Sequence, residues 1–254
     1  VFDNGFPILS VLPDSPALEA GLKAGDSIIA VDGVTLTATD NIVSMLGGEE
    51  GTGVTVTVRR AGGVTTDFTM ERRVVQIPII TYEDLGHIGW FDCASFGNST
   101  PDTVYAPLSG ASDKVQLWVM DLRSNPGGYR SLGFPELFTV LERMDIGTIY
   151  VLMDNSTFSN GVFTAGVMTQ RLENVVLVGS PAGQPVNFYG SVEDITTPNE
   201  KITFRLPGAW WIIDPEDTDE ALMPDIQVLQ TLEDYQNGVD TVLKAVYAMI
   251  GGNQ

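Results

Sequence analysis

Histidine and cysteine are nearly missing from these 254 residues: there is one of each, His87 and Cys93. A single cysteine rules out an internal disulfide, and without a His/Cys cluster there is no ligand set for zinc or an iron–sulfur centre. Neither a metal nor a cofactor is therefore expected, and mechanisms that need two histidines of this chain are excluded. Cations are scarce as well, with 13 Lys and Arg against 33 Asp and Glu and a formal net charge of −20. Nothing here neutralises phosphates, so nucleic acid is excluded as a partner, and an anionic membrane surface is disfavoured for the same reason. No apolar run approaches the roughly 20 residues of a spanning helix, so no membrane insertion by this chain is expected. No signal peptide is visible. The first residue is Val1 rather than Met, and the chain opens in a strand-like segment. An upstream segment, with any targeting information, is expected to precede it.

What is present is apolar material, 43% of the residues, enough for one large domain or two ordinary ones. The most patterned stretch is "ILSVLPDSPALEAGLKAGDSIIAVDGVTL". "ILSVL" reads as a strand. Ser15 then caps a short helix that has Pro16 at its first position. Gly21 and Gly25 suit positions that need positive φ. "DSIIAVDG" reads as a strand ending in an Asp-Gly turn. A helix in "TDNIVSMLGG" follows, then two strands joined by Gly62-Gly63. The run from Ser15 to Gly33 resembles the PDZ domain, in the permuted strand–helix–strand order found in bacterial proteases. The resemblance implies a small β-sandwich with helices over residues 1–73. It also implies an extended peptide added at a sheet edge, its carboxylate met by the loop Gly5-Phe6-Pro7-Ile8. Pro7 has no N–H to offer there, and a PDZ fold used only as a spacer or lid is the other reading.

Residues 74–254 alternate strands and helices. Strands are predicted in "IPIITYEDL", "HIGWFDCASF", "KVQLWVMDL", "GTIYVLMDN", "NVVLVGS" and "EKITFRLPGAWWII". Helices are predicted over 100–112 and 131–144, from 160 in "NGVFTAGVMTQRL", and in one closing amphipathic stretch, "LEDYQNGVDTVLKAVYAMI". Fully apolar strands between helices imply an α/β fold with a largely parallel sheet covered on both faces. Ligands in such sheets bind at the carboxyl ends of the strands. Two turns with chemical character sit at such ends, "DLRSNPGG" and "DNSTFSNG".

These two turns, followed in order by "GSPAGQPVNFYG" and "ALMPDIQV", resemble the C-terminal-processing (tail-specific) serine peptidases, a family that carries a PDZ domain before its core. The resemblance implies a crotonase-like α/β core and a peptide or unfolded-protein substrate. It also implies an exported bacterial protein, periplasmic or at the cell surface. Residue by residue, it places the nucleophile at Ser159, at a helix start where a developing alkoxide feels the positive end of the dipole. Gly127, Gly128 and the amide of Asn160 become an oxyanion hole. The plain alternatives are an N-cap for Ser159, worth about 1 kcal/mol, and a tight loop for the glycines.

Simple members of the family use a lysine 25 residues after the serine, and here Gln184 stands at that position. An amide does not titrate and cannot take the serine's proton. Lys23, Lys114, Lys201 and Lys244 are all distant in sequence. Three readings stay open. The first is a histidine in a segment upstream of the PDZ domain, with Glu216 or Asp217 as its acidic partner. The second is His87 as the base. The third is an inactive relative that only binds peptides. Arg123 reads as a brace of its loop, and Trp210 and Trp211 read as core or as a wall of the substrate cleft.

Overall fold

A computed structural model describes residues 5–60, 62–75, 80–96, 115–128 and 147–251 of the chain. The predicted helices over 100–112 and 131–144 lie outside the described residues. The chain divides into two compact units, Val1–Ile77 with Gln230–Gln254, and Pro78–Leu229. The last 25 residues thus group with the first unit, whereas the sequence reading carried them with the second.

The first unit is built on one sheet in the order β1-β2-β4-β5, with β3 paired to β2: β1 Phe6–Pro7, β2 Ser27–Val31, β3 Val34–Thr35, β4 Gly53–Arg59 and β5 Thr65–Glu71. Its local signals are realised as the sequence implies. Ser15 caps helix α1 (Pro16–Ala20) by accepting from the Leu18 N–H, and Gly21 ends it in the left-handed region at φ 92. Asp32 and Gly33 both take positive φ in the β2–β3 turn, as a primed hairpin turn requires. Leu22, Val31, Leu36, Val54, Val56 and Val58 form the core, with Ile42, Met45 and Leu46 of helix α2 (Ile42–Leu46) packed on it.

Two expectations for this unit change. The strand predicted over "ILSVL" does not form there and a two-residue strand, Phe6–Pro7, precedes it; after the Ile8 N–H reaches the Asp26 carbonyl at 2.8 Å, the chain leaves the sheet and Leu9 and Ser10 are exposed. The single C-terminal helix is two, α4 (Leu232–Gln236) and α5 (Thr241–Ile250). Gly238 at φ 68 turns the chain between them, and Asp240 caps the second by accepting from the Leu243 N–H. The Tyr235 hydroxyl, at the end of α4, donates to the carbonyls of Ile8 and Asp26, each at 3.3 Å.

The second unit holds a six-stranded sheet in the order β13-β10-β9-β8-β7-β6: β6 Ile80–Asp84, β7 Ile88–Cys93, β8 Leu117–Asp121, β9 Ile149–Met153, β10 Val175–Gly179 and β13 Ile226–Gln227. All neighbours are parallel except the edge strand β6. The apolar strands bury Trp118, Met120, Ile149, Val151 and Met153 in a core that also takes Val162, Ala165 and Met168 of helix α3 (Asn160–Arg171). "TFRLPGAWW", predicted as a strand, pairs with a segment that starts in the "VNFYG" motif, for which no strand is predicted, in a two-stranded antiparallel ribbon of β11 (Phe188–Thr196) and β12 (Thr203–Trp211).

Candidate active site

The parallel strands of the second unit deliver two turns to one edge of the sheet. β8 runs into residues 122–128, and β9 runs into residues 154–159, which lead into α3. Three polar side chains, those of Asn125 and Thr157 buried and that of Asp154 partly so, fasten these turns together. The Asn125 side chain, fully buried, donates from Nδ2 to the Cys93 carbonyl at the end of β7 (2.6 Å) and accepts the Gly127 N–H at Oδ1 (2.8 Å). The Asn125 carbonyl accepts the Phe158 N–H at 2.9 Å. Asp154 Oδ1 accepts from the N–H groups of Ser124, Ser156 and Thr157 at 2.9–3.0 Å. Thr157 Oγ1 donates to the Leu122 carbonyl at 2.8 Å. Buried polar networks of this kind rigidify a loop when every member is satisfied.

Ser159 stands where this scaffold ends and α3 begins. Its backbone is at φ 50 and ψ −115, a conformation that costs a non-glycine residue of order 1–3 kcal/mol. Its side chain makes no cap hydrogen bond to the helix, so the plain N-cap reading is set aside. The residue is half-buried, and its neighbour Phe158 is exposed. Gly127 lies directly against it: a Cβ there would sit 2.7 Å from Ser159 Cβ and 2.8 Å from the Asn160 nitrogen. With φ at +100 as well, only glycine fits.

The expected oxyanion donors are not equivalent. The Gly127 N–H is committed to Asn125 Oδ1, so Gly127 serves as clearance and not as a donor. The amides of Gly128 and Asn160 donate to no described residue. Asn160 is in the first turn of a 12-residue helix, where backbone N–H groups have no internal acceptor and the dipole favours negative charge. The Asn160 side chain leans back to the Gly128 carbonyl at 3.5 Å, and its Oδ1 is buried without a partner among the described residues.

Gln184 is brought to the same turn. The N–H of the preceding Gly183 donates to the Thr157 carbonyl at 3.0 Å, and a Cβ at Gly183 would lie 3.3 Å from the Phe158 ring. Gln184 is 8% exposed and its Nε2 is buried without a partner among the described residues. His87 is elsewhere. It precedes β7 and its carbonyl accepts from Gln116 and Leu117, at the amino ends of parallel strands. Ser159 follows the carboxyl end of β9, a strand length away, about 17–20 Å. His87 therefore does not serve Ser159.

Arg123 braces its loop, as its sequence suggested, through paired bonds to Asp121 (Nε to Oδ1 at 2.9 Å, Nη2 to Oδ2 at 2.6 Å). Asp92, in register with Asp121 on the neighbouring strand, is held above the usual carboxylate range by burial and then by the Asp121 charge. Burial pushes the Cys93 thiol up to about 12, which makes it a packing group and not a nucleophile. Glu216 and Asp217 lie in a loop held by Asn187, whose Oδ1 accepts from Ile213 and Asp214 and whose Nδ2 donates to the carbonyls of Asp214 and Asp217. Trp211 joins the core through an edge contact with Phe163, whereas Trp210 is half-exposed on the ribbon.

Asn125, Asp154, Thr157 and Asn187 are the site-forming residues that sequence reading missed. Asp154 carried a signal, an Asp opening a Ser/Thr turn. The others are legible only through partners that are distant in sequence.

In the first unit, the loop Gly5-Phe6-Pro7-Ile8 is occupied with its own fold. Phe6 and Pro7 pair with Ile28 and Ser27, and the Ile8 amide is bonded to Asp26. With Pro7 lacking an N–H, neither of these last two positions offers a donor to a peptide carboxylate.

The PDZ domain family model matches residues 8–60. A carboxy-terminal-processing protease of Bartonella bacilliformis is 25% identical over 95% of this chain and 62% of its own length. A CtpA-like serine protease of Staphylococcus saprophyticus is 34% identical over 49% of this chain and 26% of its own length. The chain is similar to carboxy-terminal-processing serine proteases and contains a PDZ domain. It spans from about a quarter to under two thirds of the length of these relatives. Among solved structures, a Bacteroides fragilis protease superposes with a TM-score of 0.63 at 19% identity, covering 100% of this chain and 81% of the other. The photosystem II C-terminal processing protease superposes with 0.51 at 19% identity, covering 99% and 74%. These likenesses establish a mixed α/β fold shared with such proteases. Among the described residues no helix is long and apolar enough to cross a membrane, and no group of three or more His, Cys, Asp or Glu is placed to hold a metal ion.

Proposed function

We propose that this chain is the peptide-cleaving part of a C-terminal-processing serine peptidase with a crotonase-like core. Ser159 Oγ attacks the scissile carbonyl carbon, and the resulting oxyanion faces the amides of Gly128 and Asn160. The amine half of the peptide departs with a proton, and water then hydrolyses the ester on Ser159. The observation that carries this reading is the backbone of Ser159: a strained serine at a helix start, uncapped, followed by an Asn160 amide that donates to no described residue and faced by a glycine where a side chain would close the space. The PDZ domain would hold an extended segment of the same substrate along the open backbone of residues 9–11, whose N–H groups donate to no described residue.

The proton of Ser159 needs an acceptor, and the amide of Gln184 is not one. That residue favours a second reading, a relative that binds peptides without cleaving them. A fluorophosphonate probe, which esterifies an activated serine, separates the two. The cleaving reading expects labelling of the wild-type chain and a loss of at least about 1,000-fold in Ser159→Ala. Peptide binding with no labelling of the wild type would leave the second.

A further inference from the structure

We propose that two copies of this chain associate face to face through the β11–β12 ribbon. The register of the ribbon decides which side chains share a face, because directly opposed residues point the same way and successive ones alternate. Tyr189 opposes Trp210, Glu193 opposes Leu206, and Ile195 opposes Phe204, with Ile202 one rung beyond. The six apolar side chains of this set are 49–66% exposed. The opposite face carries Phe188 and Trp211, which join the core, then an Asp194–Arg205 ion pair at 3.2 Å and a Thr196–Thr203 hydroxyl bond at 3.0 Å. That face is thus bound to the fold at one end and satisfied by its own polar pairs at the other, with a single exposed apolar rung, Val192 opposite Pro207, between them. The other is a continuous apolar stripe facing water, with the Tyr189 and Trp210 rings 4.5 Å apart at its base.

The uncovered apolar area of that stripe is on the order of 600 Å², at the upper limit of what a monomer usually exposes in one patch. Two such faces together remove on the order of 1,200 Å², the size of a specific interface and more than a crystal contact. A ribbon can associate through its edges or through its face, and here the edges are guarded. β12 carries Pro207, which has no N–H, and Ser191 kinks β11 at φ 55. Glu193, the charged residue of the exposed face, leans toward Gly208, where the opposing strand has no side chain, and Leu206 beside it stays uncovered. A face with no cation and one carboxylate is not matched to a charged partner. It is matched to another apolar face of the same width, which a second copy supplies by two-fold symmetry.

Sedimentation velocity of the full chain over a concentration series up to about 100 µM tests this. The expected result is a shift from the 27.4 kDa species to one of twice that mass. The shift should strengthen in high salt, because two acidic chains repel each other and salt screens the repulsion. Phe204→Glu with Leu206→Glu should abolish it, and Val192→Glu on the opposite face should leave it intact. Should the glutamate pair unfold by circular dichroism, Phe204→Ala with Leu206→Ala decides instead, with the dissociation constant raised at least about tenfold. A wild-type chain that stays at 27.4 kDa throughout overturns the proposal, whatever else covers the ribbon. So does an association that weakens with salt, or one that Val192→Glu disrupts as much as the face variants do.

Discussion

The turn that carries Ser159 and the loop at Gly5-Phe6-Pro7-Ile8 carry the same kind of sequence signal: glycine, small residues, and a promise of backbone amides turned toward a negative group. The fold resolves them in opposite ways. Around Ser159 the side chains of Asn125, Asp154 and Thr157 take up surrounding donors and acceptors, and the amides of Gly128 and Asn160 donate to no described residue. In the first unit the backbone closes on itself, Ile8 donating to Asp26 and accepting from Gly25 and Tyr235. An anion site made of backbone needs other groups to hold the loop in shape. Where the loop's own amides hold it, none remain for a ligand.

The contrast is most exposed at the glycines. Gly127→Ala places a Cβ against Ser159 Cβ and the Asn160 nitrogen in a backbone region hostile to side chains. Fluorophosphonate labelling should drop at least about 100-fold. At Gly5 the nearest atom to a new Cβ is the Ser27 hydroxyl, which can rotate, the Ile28 carbonyl and Ile29 Cγ2 lie at 3.2 Å, and φ is not in the left-handed region, so peptide affinity after Gly5→Ala should stay within a few-fold. A similar penalty at both positions would erase the distinction.

Next in size is Gln184→Lys. A lysine at this 8%-exposed position would be desolvated and its pKa drawn down, which makes the neutral amine available. Labelling of Ser159 should rise about tenfold or more and increase with pH through that lowered value. An unchanged rate would mean that the turn holding residue 184 does not reach the serine hydroxyl.

A smaller effect is expected in the first unit. With the Ile8 amide committed and Pro7 without one, a peptide with an amidated C-terminus should bind within about threefold of the free acid. A loss above tenfold on amidation would show that the loop opens to receive a carboxylate, and the two regions would then work alike.

The smallest effect concerns Asp92. Its carboxyl is held above the ordinary value, first by burial and then by Asp121. The folded chain therefore holds that proton more tightly than the unfolded chain does. The group's contribution to stability is complete below about pH 4 and is lost as pH rises through the raised value. Asp92→Asn should raise Tm modestly at pH 7, with the gain vanishing below pH 4. Thermal melts at the two pH values measure it.

Local rules made much of the first unit legible. Ser15, Pro16 and Gly21 delimit α1, and Asp32-Gly33 turns β2 into β3, because caps and tight turns are decided within four residues. The apolar strands and the serine at the start of α3 were legible for similar reasons. The role of Gly127 was not, since the acceptor of its amide is a side chain whose own position depends on Cys93, 32 residues away. The ribbon was legible only as a strand. Alternation over Ile202, Phe204, Leu206 and Trp210 marks one apolar face, and sequence alone assigns such a face to the interior. Asn237-Gly238 also outweighed the apolar periodicity on either side of it and split the last helix.

The hydroxyl of Tyr235 bonds to carbonyls 227 and 209 residues earlier in the chain. A ribosome releases Ile8 and Asp26 long before Tyr235 exists, with the whole of the serine-bearing unit translated in between. The first unit must then wait, unfinished, until residue 235 has been translated. A nascent chain stalled before residue 235 should present a looser PDZ domain to proteolysis than the released protein does.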